Sequence, residues 1–244
     1  MDIKLNFREK GEGFPLILLH GNGENLSYFK QQIDFFSREY RVIAIDSRGH
    51  GESPRGTAPF TIRQMADDLY FFMEEYNIAK AHILGFSDGG NIAACFALKY
   101  PHKIEKLILN GANLAPCGVK GYFQVPATAL FKTACFFSGR KPSQIPLISD
   151  ASDADSRPAN NKELLSLMIN DPYIEPSELS AIKVPVLVIA GTHDIIKCSH
   201  TKLIADNLPY SKLVFIGGGH SLAMTRATKF NKAVSSFLKG QEDN

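Results

Sequence analysis

The stretch AHILGFSDGG, residues 81–90, decides the fold of this 244-residue chain. A short apolar run, Ala81 to Leu84, leads into a turn that carries Ser87 between two glycines. From Asp88 to Tyr100, apolar residues recur at helical spacing until Pro101, where a helix does not readily continue. The pattern predicts a strand, a sharp turn that exposes the serine hydroxyl, and a helix. The flanking glycines allow strand and helix to approach closely.

Five more apolar runs have the same form and end at a glycine or a polar residue. Such near-continuous runs of leucine and β-branched residues are typical of a parallel sheet covered on both faces. They span residues 14–19, 41–45, 104–109, 184–190 and 212–216. Segments with helical spacing lie between them, at residues 61–76, 200–207 and 224–238. We therefore expect an α/β fold with a doubly wound, mostly parallel sheet, whose chemistry gathers at the carboxyl ends of the strands.

This alternation breaks between residues 112 and 183. The segment contains six aromatic residues and a polar section at residues 149–161, and it predicts helices at residues 123–137 and 161–170 joined by a flexible loop. It holds too little apolar sequence for a separate domain, so we expect a small helical cap over the site. Its aromatic residues suit either an apolar substrate pocket or the packing of the cap on the sheet. The predicted division is a core of residues 1–111 and 184–244 and a cap insertion of residues 112–183.

The composition excludes several classes of protein. Acidic and basic residues number 25 and 27 and are well mixed, so no basic stripe suggests a nucleic-acid partner. The N-terminus lacks the apolar stretch of a signal peptide, and no later run has membrane-spanning length. The sequence thus predicts a soluble, cytoplasmic protein with no membrane partner.

The four cysteines argue against a metal or a disulfide framework. They are widely scattered and have no metal-ligand spacing, so reduced thiols are the simplest interpretation. We predict no metal and no cofactor. The cysteines are Cys95, Cys117, Cys135 and Cys198.

Ser87 is the candidate nucleophile. It precedes a helix N-terminus, where free backbone N–H groups and the helix dipole favour a developing oxyanion. One donor should be the N–H of Asp88, and the other should come from the loop His20-Gly21-Asn22-Gly23, at Asn22. The GxSxG motif alone is short, and a loop serine in a glycine-rich turn is the alternative. His20 itself, directly at a strand end, is expected to be structural.

Asp194 and His220 are the candidate partners of the serine. Asp194 follows the strand at residues 184–190, where a carboxylate can hold a histidine in the required tautomer, although it could also cap the next helix. His220 follows the last strand after three glycines. The rival base His200 is explained by a solvated helix face. The order Ser, Asp, His, each after its own strand, favours a catalytic triad.

These motifs together resemble the α/β-hydrolase superfamily over nearly the whole chain outside the cap. The resemblance implies the α/β-hydrolase fold and a Ser-His-Asp triad, but it does not specify a substrate. Serine at the nucleophile position excludes the members that use aspartate there. The matching segments are residues 20–23, 46–53, 85–90, 191–194 and 219–220.

A narrower similarity, to the biphenyl hydrolase-like or valacyclovir hydrolase-like branch, comes from residues 87–90 and 111–113. In that branch an acidic residue beside the nucleophile helps to recognise the ammonium group of amino-acid esters. The resemblance makes Asp88, with its neighbour Phe86, a candidate substrate contact. Alternatively, Asp88 only stabilises the first turn of its helix through the dipole.

The sequence therefore predicts a serine hydrolase that cleaves carboxylic esters of small molecules through an acyl-enzyme. A C–C bond hydrolase, an enol-lactonase and a cofactor-free perhydrolase on the same triad are alternatives. A ligand-binding sensor that kept the fold is the alternative that is not an enzyme. The sequence leaves the oligomeric state open.

Overall fold

Seven strands form one sheet in the computed structural model, which describes residues 2–137 and 158–241. The strand order across the sheet is β1-β3-β2-β4-β5-β6-β7. All neighbouring pairs are parallel except β1 and β3, which are antiparallel. The strands are β1 (Phe7–Lys10), β2 (Pro15–Leu19), β3 (Arg41–Ile45), β4 (Ala81–Phe86), β5 (Ile104–Asn110), β6 (Val186–Gly191) and β7 (Ser211–Ile216).

Eight α-helices are defined in the described residues. They are α1 (Lys30–Phe36), α2 (Ile62–Glu75), α3 (Asp88–Lys99), α4 (Gly121–Phe137), α5 (Asn161–Asn170), α6 (Cys198–Asp206), α7 (Leu222–Thr225) and α8 (Ala227–Lys239). The predicted α/β fold with a mostly parallel sheet is confirmed, and the six predicted strands agree with the observed ones to within two residues.

Helices cover both faces of the sheet because successive side chains of a strand point to opposite sides. In β2, Leu16 and Leu18 face the apolar layer formed with α1 and α8, whereas Ile17 and Leu19 face the layer formed with α2, α3 and α6. All four side chains are at most 2% exposed. A strand buried on both faces must be apolar at every position, as its sequence is.

Strand β1 is the one strand that the apolar pattern did not predict. Its sequence, Phe-Arg-Glu-Lys, leaves three of its four residues exposed at the edge of the sheet. An edge strand needs no continuous apolar run, because one side of it faces solvent.

Helices α4 and α5 lie between β5 and β6, where the sequence predicts an insertion. Helix α4 begins two residues earlier than expected, and α5 has the predicted bounds. Most of the predicted flexible polar section, at residues 149–161, lies outside the described residues, as do the side chains of Cys135, Phe136 and Phe137.

No helix within residues 2–137 and 158–241 combines the length and the apolar character that crossing a membrane requires. Over the same residues, no group of three or more histidine, cysteine or acidic side chains is placed to hold a metal ion.

Candidate active site

Ser87 occupies a strained turn between β4 and α3. Its backbone has φ of 53° and ψ of −120°, a region that residues with a Cβ rarely adopt. The glycines on either side permit this turn. A Cβ on Gly85 would lie 2.1 Å from the carbonyl oxygen of Gly89, and one on Gly89 would lie 2.0 Å from that of Leu19. The turn predicted from the sequence is therefore present, and close backbone packing fixes it.

The structure brings Ser87, His220 and Asp194 into one hydrogen-bonded line. His220 Nε2 lies 3.0 Å from Ser87 Oγ, and His220 Nδ1 lies 2.6 Å from Asp194 Oδ1. The three residues follow β4, β7 and β6, whose carboxyl ends lie along one edge of the sheet. Distances of 2.6–3.2 Å are those that a nucleophile, a base and an orienting acid require.

Asp194 has the environment of an ionised carboxylate. Burial by itself raises its pKa, but hydrogen bonds from His220 and from the N–H groups of Ile196 and Gly191, together with the attraction of His220, lower it below the ordinary value. A carboxylate can only accept, so Nδ1 of His220 carries the proton. Nε2 then presents its lone pair to the Ser87 hydroxyl.

The two N–H groups predicted to bind an oxyanion belong to the residue after the serine and to the loop after β2. Asp88 is the first residue of α3, so its N–H has no acceptor within the helix. Asn22 is on the loop after β2. Over the part of the chain that the structure describes, neither N–H group donates a hydrogen bond, and both residues line the same cavity as Ser87.

His20 is a structural residue, as expected. Its side chain is 1% exposed, its Nε2 accepts a hydrogen bond from the N–H of Ser47, and its Nδ1 is 2.8 Å from the carbonyl oxygen of Gly21. These contacts hold a neutral ring that braces the loop of Gly21 and Asn22. Burial lowers the pKa of His20 to about 4.

The interpretation of His200 as a solvated residue is wrong. The ring is only 9% exposed, and its Nε2 accepts a hydrogen bond from the N–H of Leu114, 86 residues earlier in the chain. The helix pattern gave no sign of this contact, because the partner belongs to the loop after β5. His200 still does not compete with His220, since its Nε2 is occupied.

A cavity of about 210 Å³ opens in front of Ser87. Core loops and the insertion both contribute to it: Phe123 and Gln124 of α4 and Met168 of α5 line it together with residues of the strand-end loops. Phe86, the second candidate substrate contact, also lines it and packs against the His220 ring at a centroid distance of 4.7 Å.

Three carboxylates line this cavity, and no lysine or arginine does so among the described residues. They are Glu24, Asp88 and Asp171. Burial raises the pKa of each; for Asp88 the nearby charge of Asp171 raises it further, to about 6, against the opposing hydrogen bonds of Asn22 and Asn91. The cavity therefore becomes acidic once these carboxylates ionise.

Glu24 and Asp171 are site residues that the sequence did not reveal. Glu24 accepts a hydrogen bond from the N–H of Gly21 and closes the turn that carries Asn22, so its position three residues after Gly21 was a usable signal. Asp171 accepts from the N–H of Ile62, which is 109 residues away, and no local pattern indicates such a contact.

Comparisons with known proteins identify similar chains and similar folds. Residues 15–133 match the family described as the alpha/beta hydrolase fold. The chain is 27% identical to a putative carbamate hydrolase RutD of Caulobacter sp. (strain K31), over 93% of this chain and 91% of that protein. It is 26% identical to 3-oxoadipate enol-lactonase 2 of Acinetobacter baylyi, over 98% and 94% of the two chains. A solved thermophilic esterase from Thermogutta terrifontis superposes with a TM-score of 0.76 at 25% identity, covering 98% and 94%.

Proposed function

Because this chain has the α/β-hydrolase fold and is similar to enzymes with that fold, we propose that it is a serine hydrolase that cleaves carboxylic esters of small molecules. The observation that carries the proposal is the line of hydrogen bonds from Ser87 Oγ through His220 to Asp194, with lengths of 3.0 and 2.6 Å. In this proposal Ser87 is the nucleophile, His220 the general base and Asp194 the acid that orients the imidazole.

The reaction proceeds in two halves. His220 Nε2 takes the hydroxyl proton as Ser87 Oγ attacks the ester carbonyl, and the N–H groups of Asn22 and Asp88 stabilise the tetrahedral oxyanion. The imidazolium, supported by Asp194, returns the proton to the departing alcohol. Water then attacks the acyl-enzyme by the same route and releases the acid.

Ser87→Ala is the direct test. We expect it to lower kcat for small aryl esters by about six orders of magnitude, because the nucleophile is lost while the fold remains. A fluorophosphonate probe should label the wild-type serine and leave Ser87→Ala unlabelled. Wild-type turnover by Ser87→Ala would refute the nucleophile, and an unlabelled wild-type protein would favour the ligand-binding alternative.

The acidic cavity favours neutral or cationic substrates over anionic ones. A substrate carboxylate would lie among Glu24, Asp88 and Asp171, and like charges brought together cost several kcal/mol. This argues against a lactone that carries a carboxylate as the substrate. In a panel of aryl esters with neutral, ammonium-bearing and carboxylate-bearing acyl groups, we expect kcat/KM at pH 8 to be at least about tenfold lower for the last class. Preference for the anionic ester would contradict this choice.

The same panel addresses the other bond types. Carbamates and enol-lactones are added to the panel because relatives are named for them. Substrates for C–C bond cleavage and assays with peroxide test the remaining alternatives. Esters should have the highest kcat/KM. Amino-acid esters test the predicted contact between Asp88 and an ammonium group.

We further propose that the insertion acts as a cap. Phe123 and Gln124 of α4 and Met168 of α5 line the same cavity as Ser87. Their position supports a role for residues 112–183 in choosing the acyl or alcohol group of the substrate.

A further inference from the structure

The side chain of Asn22 connects three parts of the site. Its amide nitrogen donates to Asp88 Oδ2 at 2.9 Å and to the carbonyl oxygen of Leu164 at 2.9 Å. Asp88 follows the nucleophile, and Leu164 belongs to α5. Both amide hydrogens are thus used, and each goes to a different element.

The Asp88 carboxylate is occupied as well. Its Oδ1 accepts from Asn91 Nδ2 at 3.1 Å, and Asn91 Oδ1 in turn accepts from the N–H of Asn113 at 2.8 Å. Asp88, Asn91 and Asn113 are all at most 9% exposed. Two amide donors therefore hold this buried carboxylate in one orientation.

This arrangement gives Asp88 a use other than binding an ammonium group. A buried carboxylate is costly unless hydrogen bonds satisfy it. Here one of those bonds comes from the side chain of Asn22, whose own backbone N–H is a proposed oxyanion donor. Fixing the side chain fixes the loop, and a displaced oxyanion donor loses its effect.

We propose that Asp88 and Asn22 are a positioning pair that holds the Asn22 N–H in place for the oxyanion and, through the Leu164 carbonyl, links α5 to that donor. This inference rests on the proposed hydrolase function and deepens it. Neither side chain takes part in bond making; Asp88 acts through Asn22.

A double-mutant cycle with a neutral aryl ester tests the pair. Asn22→Ala and Asp88→Ala should each lower kcat about 10- to 100-fold with KM changed less than about threefold, because the loss is confined to the transition state. The double variant should be no slower than the slower single one, since both remove the same interaction. Effects that multiply would overturn the pair.

Exchanging the asparagine and the aspartate between positions 22 and 88 tests whether the lost activity can be restored. Asn22→Asp places two carboxylates against each other and should lower kcat at least about tenfold. Adding Asp88→Asn restores a donor and an acceptor and should recover most of that loss, although a carboxylate at position 22 cannot donate to Leu164. Failure of the exchange to recover any activity in a folded protein would overturn the proposal.

Three outcomes separate the possible failures. If Asp88→Ala raises KM for amino-acid esters alone and leaves kcat for neutral esters intact, Asp88 binds an ammonium group and the positioning role is wrong. If Ser87→Ala retains wild-type turnover, the hydrolase function and the pair both fall. If Ser87 reacts with fluorophosphonate and the Asn22→Ala and Asp88→Ala variants both keep wild-type kcat, only the proposed positioning pair is refuted.

Asn231→Ala is the matched control for stability. It removes a buried side-chain hydrogen bond from Gln32, at 2.9 Å, between α1 and α8. Its kcat should equal that of the wild type, whereas its thermal unfolding should shift about as far as that of Asn22→Ala.

Discussion

The site has a floor and a wall that are built in different ways. The floor consists of the strand-end loops that carry Ser87, Asp194 and His220, and the wall consists of helices α4 and α5. Asp194 in the floor is 2% exposed and its carboxylate accepts three hydrogen bonds. In the wall, Phe123 is 39% exposed although it lines the cavity. The floor is fixed by its own backbone, whereas the wall depends on contacts with distant residues.

The attachment of the wall is uneven. Helix α5 is joined to the core at its N-terminal end: Glu163 in its first turn forms a buried ion pair with Arg55 at 2.8 Å, and just before the helix the N–H of Ala159 donates to the carbonyl oxygen of Gly49. Helix α4 instead carries large exposed apolar residues, among them Tyr122, Val125 and Leu130. In the proposed function, the floor carries out the chemistry and the wall sets the selectivity, and this difference in attachment supports that division.

The floor should respond most strongly to the loss of one charge. We expect Asp194→Asn to lower kcat about 10⁴-fold, because the amide no longer selects the tautomer that leaves Nε2 free. KM for aryl esters should change little. Steady-state kinetics with an unchanged unfolding midpoint would confirm this, and a loss below tenfold would mean that the reaction does not depend on this carboxylate.

The anchor of the wall should affect stability. Arg55→Met removes the positive charge facing the buried Glu163 carboxylate, and we expect the free energy of unfolding to fall by about 3 to 5 kcal/mol. Adding Glu163→Leu should recover much of the lost free energy of unfolding, because the buried carboxylate is then removed as well. Urea unfolding measures both.

The exposed ion pair of Lys10 and Asp34, at 2.6 Å, provides the control for that measurement. Lys10→Met should change the free energy of unfolding by less than about 1 kcal/mol. If Arg55→Met and Lys10→Met lowered the free energy of unfolding equally, the distinction between a buried ion pair and a surface ion pair would be contradicted.

Low pH should lower the free energy of unfolding through the buried His20. Its pKa is about 4 in the folded protein, against an ordinary value of 6.5. Between these values the unfolded chain binds the extra proton, so stability falls as the pH falls from 6.5 to 4, by about 3 kcal/mol for this residue. His20→Gln cannot take up that proton. The difference in free energy of unfolding between this variant and the wild type should therefore shrink as the pH falls from 6.5 to 4.

Urea unfolding at stepped pH checks this shift. His102→Gln, at an exposed position, should differ from the wild type by a constant amount. A His20→Gln deficit that stays constant with pH would contradict the burial of a neutral ring.

The smallest effect is expected at the wall itself. Phe123→Ala should raise KM for long-chain acyl esters less than about tenfold with little change in kcat, because it removes apolar contact that substrate and transition state share. Its neighbour Tyr122, 69% exposed and outside the cavity lining, is the control. Equal changes for Tyr122→Ala and Phe123→Ala would show that α4 does not choose the acyl group.

The sequence predicted the floor well because each of its parts is local. An apolar run that ends in a glycine motif defines a strand and the loop after it, and strand order then brings Ser87, Asp194 and His220 to one edge. The helices of the wall were predicted as well, but the contacts that attach the wall to the core could not be predicted in the same way. Asp171 contacts Ile62, and Glu163 contacts Arg55, across 109 and 108 positions, and such pairs leave no periodic signal.

His200 and β1 show the same limit within the core. The helix pattern placed His200 on an outer face, but the loop after β5 covers it. Strand β1 has no apolar run, because it is an exposed edge strand that pairs only with β3.

The positive φ of Ser87 has a last consequence. The twenty residues from Ala81 to Tyr100, taken out of the protein as a peptide, would release this serine to an ordinary backbone conformation, because nothing would press Gly89 against the end of β2. The strained conformation of the proposed nucleophile thus depends on the assembled sheet and is not encoded by the GxSxG motif alone.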